Sequence, residues 1–230
     1  MIDVIFQTVK TFVNTDGRGN FRPTDFNLVL NNSVQEIYNS YLTEINQQVN
    51  RENRGLINGG LENVADRIRE KVLHYLKEET IPVGATPGVF TLPSDCRYFD
   101  TVVAGSGNTL EFCRNREEYN LLKTVVANSE FPIYLKTSNT ILTYPTTLDE
   151  VTLYYLRNPL FGKWTFTVFG GAELFNPSAS DFQEVDIHPA DETDLIIKIC
   201  QKFGVNLKEQ DLAAYFQMKE EERLNKQNLS

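Results

Sequence analysis

Apolar positions in the first 80 residues recur every three to four places, the period of a helix with one face in a core. Ile2, Ile5, Phe6, Val9 and Val13 predict a short amphipathic helix over residues 1–14. Thr15 to Asn20 breaks it with turn-forming residues, and Arg18 and Arg22 make that loop locally basic. A long helix over about 24–50 follows, with the stripe Phe26, Leu30, Val34, Ile37, Tyr38, Tyr41, Ile45 and Val49. Thr24 is placed to cap its first turn, and Asp25 sits at the positive end of its dipole. After a Gly-ended loop, Leu61, Val64, Ala65, Ile68, Val72, Tyr75 and Leu76 predict a third helix over about 61–79. Pro82 ends it, because the residue before a proline disfavours helical dihedrals.

From Ile81 the period shortens to two. Tyr98 to Ala104 reads as a strand, Gly105-Ser106-Gly107-Asn108 as a hairpin turn, and Thr109 to Cys113 as the returning strand. Asn115 to Ala127 predicts a helix set into the sheet, with Tyr119, Leu122 and Val126 inward. Ile133–Lys136, Thr140–Tyr144 and Val151–Arg157 are further strands, and Val151 to Leu156 alternates cleanly between faces. Lys163 to Phe169 carries the same alternation and ends at Gly170-Gly171. The helical period then returns. Pro189 opens a helix with acids early and Lys198 and Lys202 late; Leu195, Ile196, Ile199, Cys200 and Phe203 face inward, and Gly204 caps the end. Asn206 and Glu209 form a capping-box pair for a last helix anchored by Leu212, Tyr215 and Phe216.

Helices, then strands, then helices predict an α+β chain: a helical bundle from both ends with an antiparallel β-rich insertion. The expected division is 1–80 for the first part of the bundle, 81–187 for the insertion, 188–216 for the closing helices and 217–230 for a flexible C-terminal tail. One feature of the long helix stands apart. Away from its apolar stripe lie Asn27, Asn31, Asn32, Gln35, Asn39 and Asn46, a polar face almost without charge. Charged residues are depleted from interface cores, so this face reads either as a subunit contact or as a solvated face of unusual composition.

Composition changes little in this picture except through charge. Lys and Arg number 22 against 31 Asp and Glu, a net charge of −9, which disfavours tight nonspecific DNA binding because phosphate neutralisation supplies most of that affinity. A conduit through which DNA slides is compatible with such a wall. Cys96, Cys113 and Cys200 are odd in number and lack CxxC spacing, so they read as free thiols. The N-terminus lacks the pattern of a signal peptide, and no apolar run approaches the roughly 20 residues of a membrane span.

Chemistry-bearing patterns are sparse. The two histidines differ: His74 falls on the polar side of its helix, and His188 lies among acids at a helix start, where the dipole explains the acids without a metal. Gly105-Ser106-Gly107 lacks the third glycine and following helix of a dinucleotide fingerprint, and no P-loop or nucleophile elbow occurs. Neither catalytic residues, a metal site nor a cofactor is expected. Trp164, the lone tryptophan, follows Pro159-Leu160-Phe161-Gly162 and reads as core or interface packing.

A series of short motifs carries a resemblance. In order they are Pro23 to Asn27, Leu92-Pro93-Ser94-Asp95, the Glu117-containing helix, Phe131-Pro132-Ile133-Tyr134, Tyr144-Pro145, the strand from Val151 to Asn158-Pro159 ahead of Trp164, Ser180-Asp181-Phe182, and Phe203-Gly204-Val205. This series resembles the head-to-tail adaptor and tail-tubular (neck ring) proteins of short-tailed bacteriophages, including ring proteins of crAss-like phages. It runs from about Pro23 to Tyr215, and the first 20 residues have no counterpart in it. The resemblance implies a structural virion protein of the neck or tail, present in the host cytoplasm during assembly. It would form a homo-oligomeric ring of about twelve copies beneath the portal protein. It would continue the DNA channel, touch translocating DNA transiently and engage further tail or ring proteins, with no membrane. The residues placed to make such contacts are Asn31, Gln35, Asn39 and Asn46 on the long helix, Gly105 and Asn108 in the hairpin turn, Trp164, and Phe216, Lys219 and Arg223 at the C-terminal end. The alternative reading is a carbohydrate- or receptor-binding tail module built on Trp164, Phe166 and Phe169.

Overall fold

The computed structural model describes residues 1–15, 21–53 and 64–204, and these form an α+β protein. The chain divides into two compact units, Met1–Lys71 with Pro159–Ser230, and Val72–Asn158. The second unit is narrower at its C-terminal side than the 81–187 insertion expected, because 159–187 belongs to the first unit. The expected helix after Asn206 and the tail from 217 lie outside the described residues.

In the first unit α1 spans Ile2–Thr15 and α2 spans Pro23–Asn53. All five apolar positions of the α1 stripe are buried, and so are Phe26, Leu30, Val34, Ile37, Tyr38 and Tyr41 of α2. Pro23 itself is the first residue of α2, where its missing N–H costs nothing, so Thr24 lies inside the helix rather than capping it. An aromatic cluster forms the core: Phe6 meets Phe21, Phe26 and Trp164, and Phe21 meets Phe203. A 3₁₀ turn, Pro189–Asp191, leads into α5, Glu192–Lys202, whose Leu195, Ile196, Ile199 and Cys200 are buried. Gly204 adopts φ of 82°, the left-handed conformation expected of the residue that ends this helix. Asp191 is buried and accepts hydrogen bonds from the Tyr41 hydroxyl and the Lys71 ammonium. A buried carboxylate paired in this way avoids the cost of an unsatisfied charge.

The second unit departs from expectation at its start. α3 covers only Val64–Leu73, and Leu76–Pro82 is a strand, β1, where a helix to residue 79 was expected. Lys-Glu-Glu is good helix-forming sequence, but β1 pairs antiparallel with β7, Glu150–Arg157, along its whole length, and that pairing overrides local propensity. β3, Cys96–Ala104, pairs with the other edge of β7. The second sheet has the order β2-β6-β5-β4, with β2 Val89–Thr91, β4 Glu111–Cys113, β5 Ile133–Lys136 and β6 Thr140–Tyr144. The segment after the Gly105–Asn108 turn makes one bridge back to β3, Thr109 to Val103, and then leaves to pair parallel with β5 as β4. The strand pairing of the second unit is therefore mixed, where a purely antiparallel one was expected. α4, Arg116–Val125, is capped as its sequence requires: the Asn115 side chain accepts from the Glu118 N–H, and the Glu118 carboxylate accepts from the Arg114 N–H. Tyr119 is buried, but Val126, expected inward, is exposed.

One element of the first unit has no third strand beside it among the described residues. β8, Phe166–Phe169, and β9, Ala172–Phe175, form a two-stranded hairpin. Gly170 and Gly171 both have positive φ, 58° and 83°, as a two-residue turn of this hand requires.

Candidate functional site

The hairpin is delivered by the segment Pro159–Thr165, which two asparagines of α2 hold in place. Asn27 and Asn31 lie four residues apart, hence on one helical face. The Asn27 amide donates to the Trp164 carbonyl at 3.0 Å and accepts from the Trp164 N–H at 2.8 Å. One turn on, the Asn31 amide donates to the Gly162 carbonyl at 3.0 Å. Gly162 permits the approach, because a Cβ there would lie 3.3 Å from the Leu30 side chain and 3.4 Å from the backbone of Val185. The Leu160 N–H donates to the buried carboxylate of Asp186 at 2.7 Å.

Trp164 is 1% exposed. Its ring stacks on Phe6 with centroids 3.7 Å apart, and its indole N–H donates to Asp3 at 2.9 Å. Phe166 and Phe175, the first and last residues of the hairpin strands, flank it at 5.8 Å. The base of the hairpin therefore leans on a core tryptophan, while Val168, Phe169 and Leu174 face solvent, Phe169 at 78% exposure.

Beside the Asn27–Asn31 clasp lies a groove of about 480 Å³, lined by Leu28, Asn32, Phe161, Gly162 and Lys163 among others. Leu28 is 65% exposed and Phe161 72%. The buried carbonyl oxygen of the Asn31 side chain, at the groove, finds no hydrogen-bond partner among the described residues. A larger hollow of about 570 Å³ lies between the start of α2 and the hairpin, with Lys10, Arg22 and Glu173 on its walls. Its mixed charge converges on no single ligand chemistry.

Of the expected contact residues, Asn31 and Trp164 are brought together, but inside the subunit: Asn31 is committed to Gly162, and Trp164 is core. Neither offers its side chain to a neighbouring subunit, and Trp164 cannot stack on a sugar. Gln35 is half-buried and Asn39 exposed on α2; the side chain of Asn46 lies outside the described residues, as do Phe216, Lys219 and Arg223. Gly105 and Asn108 share the turn after β3, where Gly105 donates its N–H to the Glu150 carbonyl at 3.2 Å and the Asn108 amide donates to the Ser129 carbonyl at 3.0 Å. The exposed residues that sequence reading missed are Leu28, Phe161 and Leu174. Phe161 had a signal, an aromatic residue next to a glycine in a segment with no period of its own.

The second unit holds a polar cluster on one face of the β1–β7 pair. The Tyr155 hydroxyl donates toward Asp95 and Glu79, both at 2.9 Å, and Lys77 pairs with Glu79 at 2.8 Å and Asp95 at 3.1 Å. Hydrogen bonds from Lys77, then Tyr155, hold the Glu79 carboxyl below its ordinary value. Burial works to raise Asp95, but Tyr155 and Lys77 outweigh it and the carboxyl is lowered. Hydrogen bonds to Glu79, then Tyr155 and Asp95, hold the Lys77 ammonium in its charged form, and burial pushes the Tyr155 phenol up. These shifts move every group away from neutrality, the reverse of what a general acid or base needs. The cluster clasps strands. Burial likewise pushes the Cys96 thiol up to about 11 and Cys200 up to about 12, away from the thiolate form. Among the described residues no group of His, Cys, Asp and Glu side chains is arranged to hold a metal ion, and no helix is long and apolar enough to cross a membrane.

No protein-family model matches this chain, and no curated protein matches it.

Proposed function

We propose that this chain is a structural subunit of a phage particle, a helical bundle with a β-rich insertion that assembles as a ring at the portal vertex. The ring joins portal to tail and continues the DNA channel, and the subunit does its work by contact rather than catalysis. Two things support the reading: the motif series from Pro23 to Val205, and the way exposed apolar surface is distributed in the first unit.

The observation that carries it is the β8–β9 hairpin. Two-stranded hairpins are marginal alone, and soluble monomers rarely leave contiguous apolar surface in water. This one is anchored by Trp164, Phe166 and Phe175 and presents Val168, Phe169 and Leu174 outward. An anchored apolar projection suits a subunit that spends its working life in an assembly. The experiment is cryo-electron microscopy of particles that carry this chain, with antibody labelling of the chain. Density and label at the collar between capsid and tail are expected. Label only on fibres or distal tail, or absent from particles, would overturn the reading.

A further inference from the structure

The hairpin and the groove beside α2 are of complementary kinds, and both lie on the first unit. The hairpin is convex and the groove concave. Hairpin residues 166–175 contain one charged side chain, Glu173, and the groove contains one, Lys163, of opposite sign. Lys163 is paired with Asp181, and both side chains remain about half exposed, so it is open to a second carboxylate. In a chain of net charge −9, these two nearly neutral apolar surfaces are where two copies can approach without strong repulsion.

We propose that the β8–β9 hairpin of one copy seats in the groove formed by Leu28, Phe161 and Lys163 of the next, joining subunits head to tail. Phe169 and Leu174, which share one face of the hairpin, enter against Leu28 and Phe161.

The areas match what such a contact needs. From the exposures of Phe166, Val168, Phe169 and Leu174, the hairpin offers on the order of 400 Å² of apolar surface. Leu28, Leu160 and Phe161 offer roughly 300 Å² more. Apolar atoms make up a little over half of a typical interface, so the joined surfaces imply about 1,200 Å² in total, the lower bound of a specific stable contact. Because projection and socket are different surfaces, the contact is heterologous: each copy uses both, and repetition closes into a ring or runs on as a filament. Closure into a ring rests on the function proposed above; the contact itself does not.

The test is sedimentation velocity of the full chain from about 1 µM to about 1 mM. Wild type is compared with Phe169→Glu in the hairpin and Phe161→Glu in the groove. Both side chains are exposed, so both variants are expected to melt with wild type. Phe169→Ser and Phe161→Ser remove the apolar surface without adding charge and carry the test if a glutamate variant misfolds. Wild type is expected to self-associate, and each variant to lose at least about tenfold in affinity. An equimolar mixture of the two variants is expected to form a one-to-one pair and nothing larger, because each brings one intact half. Three results would overturn the contact: a wild-type chain monomeric throughout, which assigns hairpin and groove to a different protein; oligomers that both variants retain; or a mixture no more associated than its components. Oligomers that both variants retain leave the ring reading standing. Open chains that both variants abolish uphold the contact and sink the ring.

Discussion

Two segments of this chain carry the same alternating pattern and meet opposite fates. In β7, paired on both edges, Val151, Leu153 and Tyr155 are buried against Phe90, Leu110 and Ile141, and Thr152, Tyr154 and Leu156 are half-buried. In β8, Phe166 to Phe169 are all exposed, since only β9 pairs with it among the described residues. Alternation states that a strand has two different faces. Whether either face is covered depends on neighbours far away in sequence. β7 found its cover inside its own unit, and Val168, Phe169 and Leu174 of β8–β9 remain exposed.

The sharpest way to break this contrast is at the hairpin's base. Trp164→Ala removes the stack on Phe6 and the flanks of Phe166 and Phe175, and is expected to destabilise the first unit by about 4 kcal/mol. Chemical denaturation followed by far-UV circular dichroism measures it; a loss under about 1 kcal/mol would show that the hairpin is not rooted in the core. Asn27→Ala comes next. It strands the N–H and C=O of Trp164, for an expected cost of about 2 kcal/mol in the same measurement.

On the β7 side the effect is smaller and depends on pH. Tyr155→Phe deletes the hydroxyl shared by Glu79 and Asp95 and is expected to cost about 1 kcal/mol at neutral pH. Both carboxyls are lowered in the folded state from ordinary values of 4.5 and 3.8. A depressed folded value means that the unfolded chain takes up protons first as pH falls. The stabilisation is complete above those ordinary values and is lost as pH drops through the lower folded ones. The difference between wild type and Tyr155→Phe should therefore narrow between about pH 5 and about pH 2 in urea titrations. A gap that widens on acidification would show that the hydroxyl does not serve the carboxylates. The smallest effect is at the hairpin tip: Phe169→Ser is expected to change stability by no more than about 0.5 kcal/mol in a thermal melt. A larger loss would mean that the tip is already covered within its own subunit.

Much of this architecture was legible because it rests on local rules. The stripe of α1, and that of α2 as far as Tyr41, match their buried residues, the Gly204 end is where composition places it, and β6 and β7 alternate in burial. The exceptions are informative. Leu76 to Glu79 reads as a continuation of α3 and became part of β1 because β7 offered it a full ladder of partners. Thr109 to Cys113 reads as the return of a hairpin and instead became β4 beside β5.

The candidate site was less legible than the fold. Asn27 and Asn31 read as a bare polar face open to another subunit, yet they bond to a backbone 131 to 137 residues away. Amide side chains carry both donor and acceptor, so they suit a subunit contact and an internal clasp equally well. Trp164 shows the same limit, since a large aromatic suits a core or a surface and only Phe6 and Asp3 decided between them. By itself, then, the sequence determined where most of the helices and strands run, Leu76–Pro82 excepted, because period, caps and turns act over a few residues. The tertiary structure alone decided which strands pair, which asparagines are used up within the subunit, and which apolar side chains remain in water, because each depends on partners distant in sequence.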